Sequence, residues 1–215
     1  MRRGLIVIGL TGSIGMGKST AAAMLREMHI PVFDADAEVH RMFRPGGEAV
    51  RPVGEAFPGV VKDGAVDRKE LGKRVFDDKE ALRRLERIVH PLVGEAERRF
   101  LMRAAMRGTD LVVRDVPLLF ETGGDRRCDY TVVVSAPAHI QAQRVLRRPG
   151  MSPERLAAIR AAQMPDAEKR RRADFVVPTG QGRRLTRDRL RDIVREIRRR
   201  VPAAGRRPGK PIVRK

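Results

Sequence analysis

Leu5-Ile6-Val7-Ile8-Gly9-Leu10-Thr11-Gly12-Ser13-Ile14-Gly15-Met16-Gly17-Lys18-Ser19-Thr20 is the stretch that decides the fold. Leu5–Leu10 is a continuous apolar, β-branched run, the pattern of a strand buried on both faces of a parallel sheet. Gly12–Ser19 then satisfies GxxxxGK[ST] in full. Glycines let consecutive backbone N–H groups curl around phosphate oxygens with no Cβ in the way. The helix that follows aims its N-terminal amides at the same charge. From Ser19 to Met28 the apolar residues Ala22, Leu25 and Met28 share one helical face, so strand, loop and helix stand in the order this mechanism requires. Lys18, read as lying on a solvated loop, would reach the β- and γ-phosphates, and the Ser19 hydroxyl would ligate Mg²⁺.

Working outward, Pro31–Phe33, Leu111–Val113 and Tyr130–Val134 repeat the buried-strand pattern, with a short further run at Phe175–Val177. Helical patterns fall between and after them, at Pro137–Arg148, Pro153–Met164 and Thr186–Val201. Such alternation predicts an α/β fold with a mainly parallel five-stranded sheet, its core in residues 1–44 and 109–200. Residues 45–108 break the alternation. They open with Pro45-Gly46-Gly47, turn at Phe57-Pro58-Gly59 and Lys62-Asp63-Gly64, and continue as a long helical pattern over Glu80–Met106, interrupted by Pro91. This reads as a helical insertion between the second and third core strands. Residues 201–215 mix Pro, Gly and Ala with Arg and Lys and show no periodicity, as expected of a disordered basic tail.

The composition narrows the function. The chain has 215 residues, 46 Lys and Arg against 27 Asp and Glu, and a formal charge of +19. Residues 141–215 hold 23 basic and 7 acidic side chains, so most of the excess sits in the last third and points to an anionic partner near the C-terminal part or to a solvated basic tail. The single Cys128 excludes an intrachain disulfide and a cysteine-rich zinc site. No apolar run approaches the ~20 residues of a membrane span, and the cytoplasm is the expected compartment. Guanine-reading GTPases use an Asn-Lys-x-Asp element, and this chain contains no asparagine. Motor and helicase ATPases need a larger core. A small phosphotransferase using ATP and Mg²⁺ fits best; among such kinases the acceptor could be a nucleotide or a metabolite hydroxyl, and a nucleotide-dependent nucleic-acid binder is the rival from another class. With 4% aromatic residues and no Trp, base-stacking platforms are scarce. Specific nucleic-acid binding is therefore not expected, only weak, salt-sensitive attraction through the basic tail.

Carboxylates at strand ends are the candidates for acceptor chemistry. Asp34-Ala35-Asp36 closes the second strand pattern, where ligands of doubly wound sheets are met. A carboxylate there can orient an acceptor hydroxyl and take its proton; either Asp could instead cap the next helix. Asp115 closes Leu111–Val113 with Arg114 between, the position of a Mg²⁺-holding carboxylate or of a plain strand terminus. Pro117-Leu118-Leu119-Phe120-Glu121 is either a buried core segment or an apolar wall for a long substrate. Arg144 and Arg148, four apart on one face of the Pro137–Arg148 pattern, could neutralise a triphosphate or be a solvated basic face.

Taken in order, Gly9–Thr20, Asp34-Ala35-Asp36, Asp63-Gly64 with Asp67-Arg68, His90-Pro91, Asp115-x-Pro117-Leu118-Leu119-Phe120-Glu121, Gln141-x-x-Arg144 with Arg148, Gln163 and Ala173-Asp174 resemble the dephospho-coenzyme A kinase family over about residues 5–200. The resemblance implies a P-loop kinase core, a helical substrate-binding domain and a mobile basic lid, here about residues 141–170. It also implies MgATP-dependent phosphorylation of the ribose 3′-hydroxyl of dephospho-CoA, the last step of coenzyme A synthesis. Carried onto this chain, Asp36, Lys18 and Arg144 are the catalytic residues. Gly12, Ser13, Ile14, Gly15, Met16, Gly17, Lys18, Ser19, Thr20 and Arg148 bind ATP. Asp36, Arg68, His90, Leu118 and Phe120 bind dephospho-CoA, and Ser19 and Asp115 hold the metal. The chain differs from the family at Ser13 and Met16, and at Thr179, which precedes Gly180 where many members carry asparagine.

Overall fold

The structure is a computed structural model that describes residues 4–76 and 78–200. In chain order it comprises β1 (Ile6–Thr11), α1 (Lys18–Glu27), β2 (Val32–Asp34), α2 (Ala35–Met42), α3 (Val50–Ala56), β3 (Val61–Lys62), β4 (Ala65–Val66), α4 (Arg68–Val75) and α5 (Lys79–Met106). Next come β5 (Leu111–Asp115), β6 (Tyr130–Ser135), α6 (Ala138–Leu146), α7 (Pro153–Ala162), α8 (Asp166–Arg172), β7 (Phe175–Pro178) and α9 (Arg183–Arg200). The fold is α/β, as the alternation of patterns predicts. The described residues divide into two compact units, residues 4–32 with 104–200, and residues 33–103. The expected tail, 201–215, lies outside the described residues.

The first unit is built on the sheet, ordered β2-β5-β1-β6-β7. β1 pairs in parallel with β5 on one side and β6 on the other, and β6 pairs in parallel with β7. A strand flanked on both sides and covered on both faces has no wet side, which is why Ile8, Leu10, Val112, Val113, Val133 and Val134 are all buried. α1 and α9 pack against each other, and α9 also packs on β7. Their apolar stripes (Ala21, Ala22, Met24 and Leu25 on α1; Leu190, Ile193, Val194 and Ile197 on α9) join the sheet in one core. Full burial of one such leucine or isoleucine is worth about 1.5–3 kcal/mol. The register aligns Leu10 with Asp115 and Thr11 with Val133. The phosphate loop and the end of β5 therefore emerge side by side.

The second unit, residues 33–103, is helical around its own core of Met42, Val53, Phe57, Val60, Leu71 and Val89. Lys62-Asp63-Gly64 is the tip of a β3–β4 hairpin. Asp63 and Gly64 both take positive φ, 49° and 73°, as a tight turn with this twist demands. Asp67 caps α4 by accepting from the Lys69 and Glu70 amides, and its hydrogen bond from Lys62, followed by the Glu70 amide, holds its carboxyl down to about 2. α5 runs unbroken from Lys79 to Met106 with Pro91 inside it, where the sequence predicts an interruption. Pro91 is exposed, so the carbonyl that loses its helical donor can be met by water. Leu82, placed on the apolar stripe by its spacing, is 41% exposed.

Two further differences concern the span 141–170. The helix expected over Pro137–Arg148 ends at Leu146, so Arg148 does not share a helical face with Arg144; it is exposed in the turn before Pro149-Gly150. Proline disfavours helical backbone in the residue before it, which accounts for the early stop. The span is also anchored in the core at both ends: Gln141 and Val145 are buried, and α8 packs against β6 with Lys169 fully buried. α8 has no apolar period because its inward residue is a lysine, and that is why its pattern gives no helix signal.

Candidate active site

The Gly12–Ser19 loop joins β1 to α1. A Cβ at Gly12 would lie 2.4 Å from Val134 Cγ2 and 2.8 Å from the Val134 carbonyl oxygen, so only glycine lets the loop cross the end of β6 this closely. Gly17 takes φ 89°, in the left-handed region, and immediately precedes α1. No acidic residue stands in the first turn of α1 and no side chain caps it, so the positive end of the helix is left for an anion.

Lys18 is the first residue of α1, not part of a solvated loop; its side chain is 16% exposed. Its Nζ donates to Asp115 Oδ1 at 2.5 Å, and the Asp115 side chain is 2% exposed. The register that sets Leu10 beside Asp115 brings the two together. Ser19, one residue further on, is exposed.

Side chains distant in sequence hold the outer rim of the loop. Gln141 Nε2 donates to the Ile14 carbonyl at 2.8 Å, and Gln141 Oε1 accepts from Arg160 Nε and Nη2 at 2.9 and 2.6 Å. The Ile14 amide donates to Gln163 Oε1 at 3.1 Å. Arg144 Nη2 donates to the Thr179 carbonyl at 2.7 Å, and its Nη1 to Thr179 Oγ1 at 3.1 Å and to the Gly15 carbonyl at 3.4 Å. Beyond the end of β5, the buried Lys169 pairs with Glu121 at 2.8 Å and donates to the Pro117 carbonyl at 3.2 Å. The Thr11 hydroxyl donates to that same carbonyl at 2.9 Å. Partial burial pushes the Glu121 carboxyl up, but the Lys169 ammonium and the Met164 amide outweigh it and hold it below the usual carboxylate range.

Lys18, Asp115, Arg144 and the loop are thus gathered in the first unit. Leu118, also there, is 40% exposed, whereas Phe120 is buried, 6% exposed. Pro117–Glu121 is neither wholly core nor wholly wall. In the second unit, Asp34 caps α2 by accepting from the Ala37 amide, while Asp36 is exposed in the first turn of that helix. Arg68, the first residue of α4, and His90 on α5 are exposed as well. Thr179, Arg160 and Lys169 carry no sequence signal for the roles they play here. Two are arginine and lysine in a chain full of solvated basic residues, and the third is a lone threonine after a strand.

A parallel sheet whose first strand runs through a glycine loop into a helix, with the lysine that opens the helix against a carboxylate from the neighbouring strand, defines the class of P-loop nucleotide-binding proteins, of which the P-loop kinases are one branch. The dephospho-CoA kinase family model matches residues 6–183. Among curated relatives, a dephospho-CoA kinase of Paramagnetospirillum magneticum is 65% identical over 76% of this chain and 77% of its own length. One of Mesorhizobium japonicum is 55% identical over 90% of this chain and 98% of its own. Among solved structures, TT1252 from Thermus thermophilus superposes with a TM-score of 0.76 and 40% identity, covering 91% of this chain and 99% of that one. The chain belongs to the dephospho-CoA kinase family, and it is a kinase.

Proposed function

We propose that this chain transfers the γ-phosphoryl group of ATP to the ribose 3′-hydroxyl of dephospho-CoA, giving coenzyme A and ADP. The bond from the γ-phosphorus to the β–γ bridging oxygen breaks, a bond to the 3′-oxygen forms, and the hydroxyl proton leaves to a base. The observation that carries the reading is the Lys18–Asp115 pair at the mouth of the Gly12–Ser19 loop, in a chain of this family. The Gly12–Thr20 segment binds the phosphates, through loop amides not already engaged within the protein, and Lys18 moves with the transferring group. Arg144 neutralises charge on the equatorial oxygens. Arg148, exposed beyond α6, contacts ATP from the lid side.

For the acceptor, the family resemblance assigns binding roles to Arg68, His90, Leu118 and Phe120, and the proton to Asp36. Asp36 follows β2 by two residues and is exposed, as a base for an incoming hydroxyl must be. Ser19 and Asp115 suit Mg²⁺: one hydroxyl and one carboxylate leave room for the phosphate oxygens and waters this ion retains. When bound, the metal supplies charge neutralisation on the phosphates. Within the span 141–170, the lid is confined to the exposed residues between the anchors at Val145 and Lys169.

The test is ATP turnover by the purified protein with and without dephospho-CoA. Formation of ADP and coenzyme A that requires the acceptor is expected. Equal turnover with a different metabolite hydroxyl, and none with dephospho-CoA, would overturn the substrate.

A further inference from the structure

Three consecutive carbonyls of the phosphate loop are each met from outside by a side chain: Ile14 by Gln141, Gly15 by Arg144 and Met16 by Thr179. In a planar trans peptide the C=O and the following N–H point in opposite directions. Fixing the Ile14 and Met16 carbonyls outward therefore turns the Gly15 and Gly17 amides the other way, inward.

Thr179 has a second attachment. Its Oγ1 lies 2.7 Å from the Met16 carbonyl and 3.1 Å from Arg144 Nη1, and its own carbonyl accepts from Arg144 Nη2 at 2.7 Å. A hydroxyl carries one proton and two acceptor sites, so donating to Met16 leaves it able to accept from Arg144 at the same time. Thr179 is 6% exposed. A Cβ on Gly17 would stand 3.2–3.4 Å from its side chain, so loop and threonine are in close packing as well.

We infer that Thr179 is a positioning residue that sets the phosphate loop and Arg144 against each other. It ties the amides that hold the phosphates to the guanidinium that follows the moving charge. The inference rests on the phosphotransferase reading above and adds to it a buried residue from the far end of the sheet. The β-branched hydroxyl satisfies the donor and acceptor demands at this point with one short side chain, and its methyl fills the space beside Gly17.

The test compares Thr179→Val, which keeps the shape and loses the hydroxyl, with Thr179→Ser, which keeps the hydroxyl. Removing a buried hydrogen-bond partner of a charged group should lower kcat by about 10- to 100-fold in Thr179→Val. ATP affinity, measured without acceptor, should weaken by up to about tenfold as the loop loosens. Thr179→Ser should restore both, and Thr179→Ala carries the same expectation as Val should the latter not fold. In an Arg144→Ala background the kcat loss from Thr179→Val should shrink. Relaxation of the Arg144 ¹⁵Nε should show its side chain ordered in the parent protein and mobile in Thr179→Val.

An equal kcat loss in both backgrounds, Ser as damaging as Val, or unchanged Arg144 order would overturn the tether. ATP binding and Arg144 order are read with no acceptor present, so they test the tether alone. Absence of turnover by the parent protein with dephospho-CoA would fail the substrate reading and leave those two readouts standing.

Discussion

At the scale of the residue, Lys18 has two partners to serve. Its ammonium holds a carboxylate that is only 2% exposed, and in the proposed reaction it accompanies the γ-phosphoryl group. Lys18→Ala should lower transfer by about 10²–10³-fold or more, the scale on which one oriented donor to developing charge acts. It should also lower the melting temperature, because Asp115 loses the ammonium beside it; unfolding monitored by circular dichroism reads this. Transfer that stays near the parent rate would remove the lysine from the reaction.

Asp36 and Asp34 separate by environment. Asp34 accepts from the Ala37 amide, and Asp36, two residues on, is exposed. General bases contribute about 10²–10⁴-fold, so Asp36→Asn should lower kcat by that order while leaving ATP affinity unchanged. Asp34→Asn, which retains a capping oxygen, should be milder. Weakened ATP binding with an intact kcat in Asp36→Asn would move the carboxylate to the other substrate.

At the scale of the element, α8 shows what a charged helix needs in order to dock. Lys169 is fully buried and reaches Glu121 and the Pro117 carbonyl, while Asp166 accepts from the Ser135 hydroxyl at 2.7 Å. An ion pair of this kind is costly to break from one side. Glu121→Gln leaves the buried ammonium without its counter-charge; because Glu121 itself reaches solvent, the cost should be about 1–3 kcal/mol of stability, measurable by urea denaturation.

The parent protein should show the same dependence in its pH profile. The Glu121 carboxyl is held below its ordinary value of 4.5 in the folded state. The folded form therefore binds its proton less readily than the unfolded form, and the contribution to stability is complete above that value. It is lost as pH falls through the depressed one. Glu121→Gln should flatten this acid limb, and an acid limb identical to the parent's would show that the pair is not linked to folding.

At the scale of the whole molecule, the charge is unevenly spread. Deleting residues 201–215 removes five basic residues and no acidic ones, taking the formal charge from +19 to +14. The family match stops at residue 183, before this stretch. Deletion should leave kcat unchanged and weaken retention on a polyanion such as heparin at low salt, with a shallower dependence on salt concentration. Loss of kinase activity would make the tail part of the site.

The same scale separates what is local from what is not. The buried strands were legible because a strand covered on both faces is apolar at nearly every position, as Leu111–Val113 and Val132–Val134 are. The phosphate loop was legible because its glycines, lysine and serine answer to a ligand and to a turn, both set within a dozen residues. Asp34 could be read as a cap, and the Asp63-Gly64 hairpin as a turn, for the same local reason. The helix through Pro91 was not, because whether a broken backbone bond is tolerable depends on which side of the helix meets water.

By itself, then, the sequence determined the α/β class, the strand–loop–helix of the site and the family, since each is written in spacing or in contiguous motifs. Tertiary structure alone decided that Lys18 faces Asp115, that Lys169 is buried, that Arg148 falls outside the helix of Arg144, and that Thr179 meets Met16 across 163 positions of chain. The physical reason is that hydrogen bonds between distant residues impose no periodicity. An arginine, lysine or threonine reads the same in sequence whether it faces solvent or a carbonyl, and only the folded sheet brings the partner within reach.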